Sequence, residues 1–162
     1  MLEEAKSQKM LLTLRCQDTS INLAIKALAI FDHKLEDKDE ELYCLVDYAG
    51  FKNKLLRSCT IHSWILDERK EYSMQQEVLI NKDSVPHNVG RFIASTFIQQ
   101  KKLQNMCVRA CGDIPISIAV QAIFCARHNL KEENLDLVMM PRFSSDTEFT
   151  LVNLFLSCFA VN

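Results

Sequence analysis

The chain has 162 residues, of which 48% are apolar and 25% charged, and its formal net charge is −2. This composition is typical of a packed globular protein and excludes a disordered chain. The length suits one ordinary domain or two very small ones. No secretory leader pattern follows Met1 and no apolar run reaches membrane-spanning length, so we expect an intracellular, cytoplasmic protein without membrane contact.

The first predicted elements have the order β-α-β-β. Strands are indicated over Met10–Cys16, Leu42–Tyr48 and Leu55–Leu66, and a helix over Ser20–Lys34. The residues before Met10 are too few for a further strand and helix, so this part has a sheet face that something must cover. A charged segment, residues 67–71, follows and is predicted to be a solvated link.

The rest of the chain predicts a complete β-α-β-α-β-β unit. Its helices are indicated by apolar residues at helical spacing, and its strands by short apolar runs bounded by turns. The predicted elements are a strand over 77–82, a helix capped by Ser84 and running to Lys101, a strand over 106–110, a helix between the turn 112–115 and residues 129–131, and strands over 135–140 and 149–161.

The two parts align at a constant offset of 95 residues (119 − 24), which pairs Ala24 with Ala119 and His33 with His128. The order of elements repeats as well, although residue identity is low. We therefore predict an internal repeat, with a partial unit over residues 1–72 and a complete domain over residues 73–162.

Three segments of the later domain resemble the stage V sporulation protein S family. Asp83–Val89 is similar to its serine-proline-valine helix entry, Ala119–Arg127 to its second helix, and Leu135–Phe143 to its strand-and-proline signature. Together these segments cover roughly residues 76–162. The resemblance implies an Alba-like fold of the α/β class, with α+β two-layer architecture, whose members are small dimer-forming proteins often linked to DNA or RNA.

No catalytic or metal-binding constellation is found, because glycine-rich phosphate loops and zinc-type His or Cys pairs are both missing. We therefore expect no enzyme activity, no cofactor and no metal. Six of the seven cysteines lie in apolar stretches and are predicted to be reduced core residues, namely Cys16, Cys44, Cys59, Cys107, Cys125 and Cys158.

Binding of DNA or RNA is the function that the family resemblance favours. Such binding is expected to be independent of sequence and to use the phosphate backbone. Two features oppose it: the chain has no basic excess, and the hairpin after Phe143 contains acids but no cation. The candidate contacts are Lys26, Lys82, Arg91, Arg127 and Arg142.

The alternative is a structural or adaptor subunit of a larger assembly. The predicted last strand is apolar on both faces, so both faces are expected to be covered. The cover is predicted to come from the partial unit, residues 1–72, in an intramolecular pseudo-dimer, from self-association or from a foreign protein. The predicted interface residues are Leu151, Leu154, Phe155, Leu156 and Phe159.

Overall fold

The computed structural model describes residues 12–49, 58–144 and 151–161, and these residues form one sheet with its helices on one side. The helices and strands in these ranges are β1 (Leu12–Gln17), α1 (Ile21–Leu35), β2 (Glu41–Ala49), β3 (Ser58–Leu66), β4 (Glu77–Ile80), α2 (Pro86–Gln99), β5 (Met106–Cys111), α3 (Asp113–Leu130), β6 (Leu135–Phe143) and β7 (Leu151–Ala160). The mixed α/β class and the predicted order of elements are confirmed. The parts of predicted strands at residues 10–11, 55–57 and 149–150 lie outside the described residues.

We call residues 12–66 the front unit, residues 67–76 the connector and residues 77–160 the second unit. The described residues build a seven-stranded sheet with the order β1-β3-β2-β6-β7-β5-β4. The strands β4 and β5 are parallel, and every other neighbouring pair is antiparallel. The two units therefore share one sheet, in which β2 and β6 meet at a single paired position, Cys44 opposite Met139.

The two long helices of the second unit begin where local sequence permits it. Pro86 occupies the first turn of α2, where a missing backbone N–H costs nothing. Gly112 precedes α3 with φ of +92°, a conformation that side chains other than glycine rarely adopt. The predicted Ser84 cap is wrong: Val85 is the residue before the helix, and the Ser84 hydroxyl instead accepts the Asn81 N–H at 3.0 Å.

The local geometry of the two units follows the predicted offset at two places. Asp39 and Asn134, which are 95 residues apart (134 − 39), both have φ of 55° and both end a short 3-10 turn after a helix. Cys44 and Met139 have the same separation and lie opposite each other, as a two-fold relation between the units requires. That the front unit is a partial copy of the second stays a prediction.

Buried apolar side chains form two clusters on opposite faces of the sheet. The larger cluster lies beneath the helices and includes Leu154 and Leu156 of β7. The smaller cluster lies on the other face and includes Phe155, which stacks on the connector residue Tyr72 with 5.2 Å between ring centroids. The last strand is therefore apolar on both faces because the helices cover one face and the connector packs on the other.

Five of the six cysteines predicted in the core are buried, namely Cys16, Cys44, Cys59, Cys107 and Cys125, while Cys158 is half-buried. Burial raises the pKa of the Cys44 thiol and of the Cys107 thiol to about 12. These thiols are protonated at neutral pH and pack as small apolar groups.

Candidate functional site

Arg127, in the last turn of α3, joins the second unit to the front unit. Its side chain is buried and donates to both carboxylate oxygens of Asp136, at 2.7 and 2.9 Å. We call the boundary between β2 and β6 the seam. Across it, Arg127 also donates to the Val46 carbonyl at 2.6 Å and to Asp47 at 3.0 Å. A phosphate would have to displace these acceptors to reach the guanidinium.

Arg142 lies at the other end of the same seam, on β6. It donates to the buried Glu41 of β2 at 2.8 Å and to the Lys70 carbonyl of the connector at 2.9 Å. Glu41 also accepts the Tyr72 hydroxyl at 2.6 Å. Burial raises the pKa of Glu41, and the hydrogen bond from Tyr72 and the charge of Arg142 oppose that shift. Like Arg127, Arg142 is engaged in holding the units together.

The predicted solvated link, residues 67–71, is exposed at four of its five positions, and Arg69 is the exception. The Arg69 side chain is 9% exposed and donates to both oxygens of Asp32, at 2.8 and 3.3 Å, and to the Glu40 carbonyl at 2.9 Å. Asp32 is itself buried in α1, where it accepts the Leu42 N–H at 2.9 Å. A buried carboxylate requires a paired cation, and the connector supplies it.

The other three predicted phosphate contacts lie on separate elements. Lys82 is exposed in the turn after β4, Arg91 is exposed on α2, and Lys26 is half-exposed on α1 of the front unit. No ion pair within the described residues involves any of the three. The structure does not bring these five candidate cations into one patch, since Arg127 and Arg142 are engaged at the seam.

The predicted interface residues of β7 are largely internal. Leu154 and Leu156 are fully buried beneath the helices, and Phe155 is buried against Tyr72. Leu151 and Phe159 are half-buried. In the described residues the chain's own helices and connector cover β7, so Leu154 and Leu156 present no surface to a partner.

An exposed apolar stripe runs along α1 of the front unit. Leu23 is 68% exposed, Ile30 47% and Phe31 37%, and Ala27 is also exposed. Residues at this spacing share one face of a helix. We call these four residues the exposed stripe. The sequence does not single it out, because α1 has apolar residues on nearly every side.

The second unit shows how the corresponding face of α3 is covered. Ala122, Cys125 and Ala126, which are 95 residues after Ala27, Ile30 and Phe31, are buried at the crossing with α2. Gly90 of α2 lies so close that a Cβ atom there would come within 2.6 Å of the Cys125 Cβ and 2.8 Å of the Ala122 carbonyl oxygen.

Beside the exposed stripe, an apolar groove of about 390 Å³ separates α1 from β1. We call it the front groove, and it is lined by Leu12, Leu14, Ala27, Leu28, Phe31, Leu42 and Ser63. Within the described residues β1 is an end strand of the sheet and pairs with β3 alone, whereas β5 of the second unit pairs with both β7 and β4. In the second unit, α2 covers one face of α3 and β4 covers the edge of β5. Within the described residues, the corresponding face of α1 and edge of β1 have no such cover.

Two features are absent from residues 12–49, 58–144 and 151–161. No group of His, Cys, Asp and Glu side chains there is arranged to hold a metal ion. No helix there has the length and apolar character needed to cross a membrane.

Residues 76–150 match the family model described as stage V sporulation protein S. The match begins one residue before β4 and reaches the connection between β6 and β7, so it falls on the second unit. The family resemblance predicted from the sequence is confirmed for that part of the chain. The front unit lies outside the match, and no curated protein matches the chain.

Proposed function

We propose that this chain, whose second unit carries the match to the stage V sporulation protein S family, is a non-catalytic protein-binding subunit that docks through its front unit. The observation that carries the proposal is the exposed stripe beside the front groove. Contiguous apolar surface rimmed by polar residues is typical of interaction sites on soluble proteins. Within the described residues β1 is an end strand of the sheet, and end strands are where a partner can add a further strand.

The charge pattern favours a protein over a nucleic acid at this surface. Nucleic-acid affinity derives mainly from free cations that neutralise phosphates. Arg127 and Arg142 are held by carboxylates, and the front groove is lined by uncharged residues. Burial of apolar surface, by contrast, is the main favourable term in most protein–protein association.

In this proposal the second unit serves as the rigid support of the docking side. Arg127 reaches Asp47 and the Val46 carbonyl at one end of the seam, and Arg142 reaches the buried Glu41 at the other. Tyr72 of the connector contacts Glu41 of the front unit and Phe155 of the second unit. We propose that the two units form an intramolecular pseudo-dimer, in which the described part of the front unit has no counterpart of β4 and α2. Its uncovered surface is then free to bind another protein.

Site-specific photocrosslinking in cells that express the chain tests this function. A photoreactive amino acid at Ala27 is expected to crosslink to one defined protein, and Phe31→Asp is expected to abolish the product. The matched control is the same group at Phe92, which is 48% exposed on α2. Identical products at both positions, or no product at Ala27, would contradict the proposal.

Nucleic-acid binding is a second candidate, favoured by Lys82 and Arg91, which are exposed and have no ion pair within the described residues. By sequence, residues 50–57, outside the described residues, also carry Lys52, Lys54 and Arg57 and no acid. Fluorescence anisotropy with labelled DNA and RNA tests it at low and moderate salt. Binding that weakens steeply with salt and is reduced by Lys82→Glu would support it. No binding at low salt would exclude it.

A further inference from the structure

We infer that the segment that docks in the front groove is an acidic amphipathic helix of a partner protein, an inference that rests on the proposed function. Helices that dock in grooves insert apolar side chains at i, i+3, i+4 and i+7 and keep a polar face in water. The exposed stripe and the front groove offer a continuous apolar seat along α1. Two further features of this surface indicate the charge of the helix that binds there and exclude one candidate helix.

The first feature is the charge of α1. Its charged or titratable side chains that reach solvent are the half-exposed Lys26 and the exposed His33 and Lys34. The one acid of the helix, Asp32, is buried and paired with Arg69. By helical geometry Lys34 continues the exposed stripe at its carboxyl end, and Lys26 lies beside it.

Three exposed acids, Glu36, Asp37 and Asp39, lie in the turn that follows α1, outside the helix itself. Glu36, which follows the helix, is paired with His33 at 3.1 Å and with Arg69 at 3.4 Å. On α1 itself the one acid is the buried Asp32, so a helix lying along the exposed stripe meets Lys34 and Lys26, and acidic residues flanking its apolar face would complement these two cations.

The second feature excludes α2 of a second copy as the occupant. In the second unit α2 approaches α3 through Gly90, against the Cys125 Cβ and the backbone of Ala122 and Ala126. The front unit has Ile30 and Phe31 at the corresponding positions, and these side chains would prevent so close an approach.

Charge excludes the same occupant. The charged or titratable residues of α2 are His87 and Arg91, so α2 carries no acid that could pair with Lys26 or Lys34. The front groove therefore requires a helix that differs from α2 in both shape and charge.

Titration of the full-length chain with two fluorescent synthetic peptides tests the inference. Both peptides form an amphipathic helix with leucine at i, i+3, i+4 and i+7; one carries glutamate on the flanks and its twin carries lysine. We expect the acidic peptide to bind at least about tenfold more tightly at low salt. Lys34→Glu should reduce or reverse this preference, and Phe31→Asp should abolish binding, while Phe92→Asp on α2 should leave it unchanged.

Three results would overturn the inference. The first is equal affinity for the two peptides. The second is a wild-type chain that is a dimer by mass and becomes a monomer in Phe31→Asp. The third is peptide binding that is seen only after residues 1–9 are removed. The second result would make a second copy the occupant, and the third would make it the chain's own first residues. If photocrosslinking at Ala27 still identifies a protein while the peptides bind equally, the proposed function stands and the acidic helix alone is excluded.

Discussion

The two units place a helix on the same kind of strand arrangement, yet one is closed and the other open. Phe31 of α1 is 37% exposed, whereas Ala126, its counterpart in α3, is fully buried. Leu12, which begins β1, is 43% exposed, whereas Met106, which begins β5, is fully buried. A single exposed apolar residue needs no explanation. The comparison is informative because the same molecule shows which elements cover this surface in the closed unit.

We expect the largest loss of stability when the contacts that join the two units in one sheet are removed. Arg127→Ala removes the guanidinium from the partly buried Asp136, which among the described residues keeps only the Leu137 N–H, and from the Val46 carbonyl across the seam. We expect a loss of about 3–5 kcal/mol in the free energy of unfolding, the usual cost of breaking a buried ion pair from one side. Urea denaturation measures it.

The matched control for this experiment is Arg91→Ala, because Arg91 is exposed on α2 and has no ion pair within the described residues. We expect it to change the free energy of unfolding by less than about 0.5 kcal/mol. Equal destabilisation by the two substitutions would show that Arg127 does not hold the seam.

The next effect concerns how α2 closes the second unit. In Gly90→Ala the added methyl group would meet the Cys125 Cβ and the Ala122 carbonyl, so α2 must move away from α3. We expect a cost of about 1–3 kcal/mol by denaturant titration, as for other overpacked cores. Ser95→Ala, at an exposed position of the same helix, is the control and is expected to be neutral or slightly stabilising. A neutral Gly90→Ala would contradict the close contact.

A pH effect is expected at the seam. Because burial raises the pKa of Glu41 above its usual value of 4.5, folding favours the protonated carboxyl. The stabilising contribution of the protonated form is greatest at low pH and is lost as pH rises through the raised pKa. The free energy of unfolding of the wild type, relative to the non-titrating Glu41→Gln, should therefore fall as pH rises above 4.5. A relative stability that rises over this range would contradict the assignment.

The smallest effect is expected at the exposed stripe of the isolated chain. Ile30→Gln should change the free energy of unfolding by no more than about 0.5 kcal/mol, because Ile30 is 47% exposed. The equivalent substitution in the second unit, Cys125→Gln, should cost more than about 1 kcal/mol, because it overpacks a buried position beside Gly90. Equal costs would remove the distinction between an open and a closed unit.

Local patterns in the sequence predicted the elements well. The apolar periodicity of Ile116, Ala119 and Ile123 marks α3, and short apolar runs mark β5 and β6. The facing pair Cys44 and Met139 is also separated by 95 residues (139 − 44). These features depend on residues close together in the chain, or on a comparison of two such stretches.

The seam could not be predicted in the same way. Arg127 and Asp47 are 80 residues apart, and Arg142 and Glu41 are 101 apart, so their pairing depends on the order of strands in the sheet. The buried role of Arg69 depends on Asp32 being turned inward, which the charged sequence of the connector does not reveal. The exposed stripe could not be predicted from the sequence either, because exposure of one helix face depends on which other elements of the fold pack on it.

The accessibility of Ile30 in cells tests the central claim most directly. The experiment uses Ile30→Cys in a chain whose exposed Cys111 is replaced by serine, with Leu79→Cys, at a position 72% exposed on β4, as the reference. Both new thiols should react readily with a maleimide in the purified protein. In cells we expect the thiol at position 30 to be protected and the thiol at position 79 to stay reactive. Equal reactivity of the two thiols in cells would contradict a protein docked on the front unit.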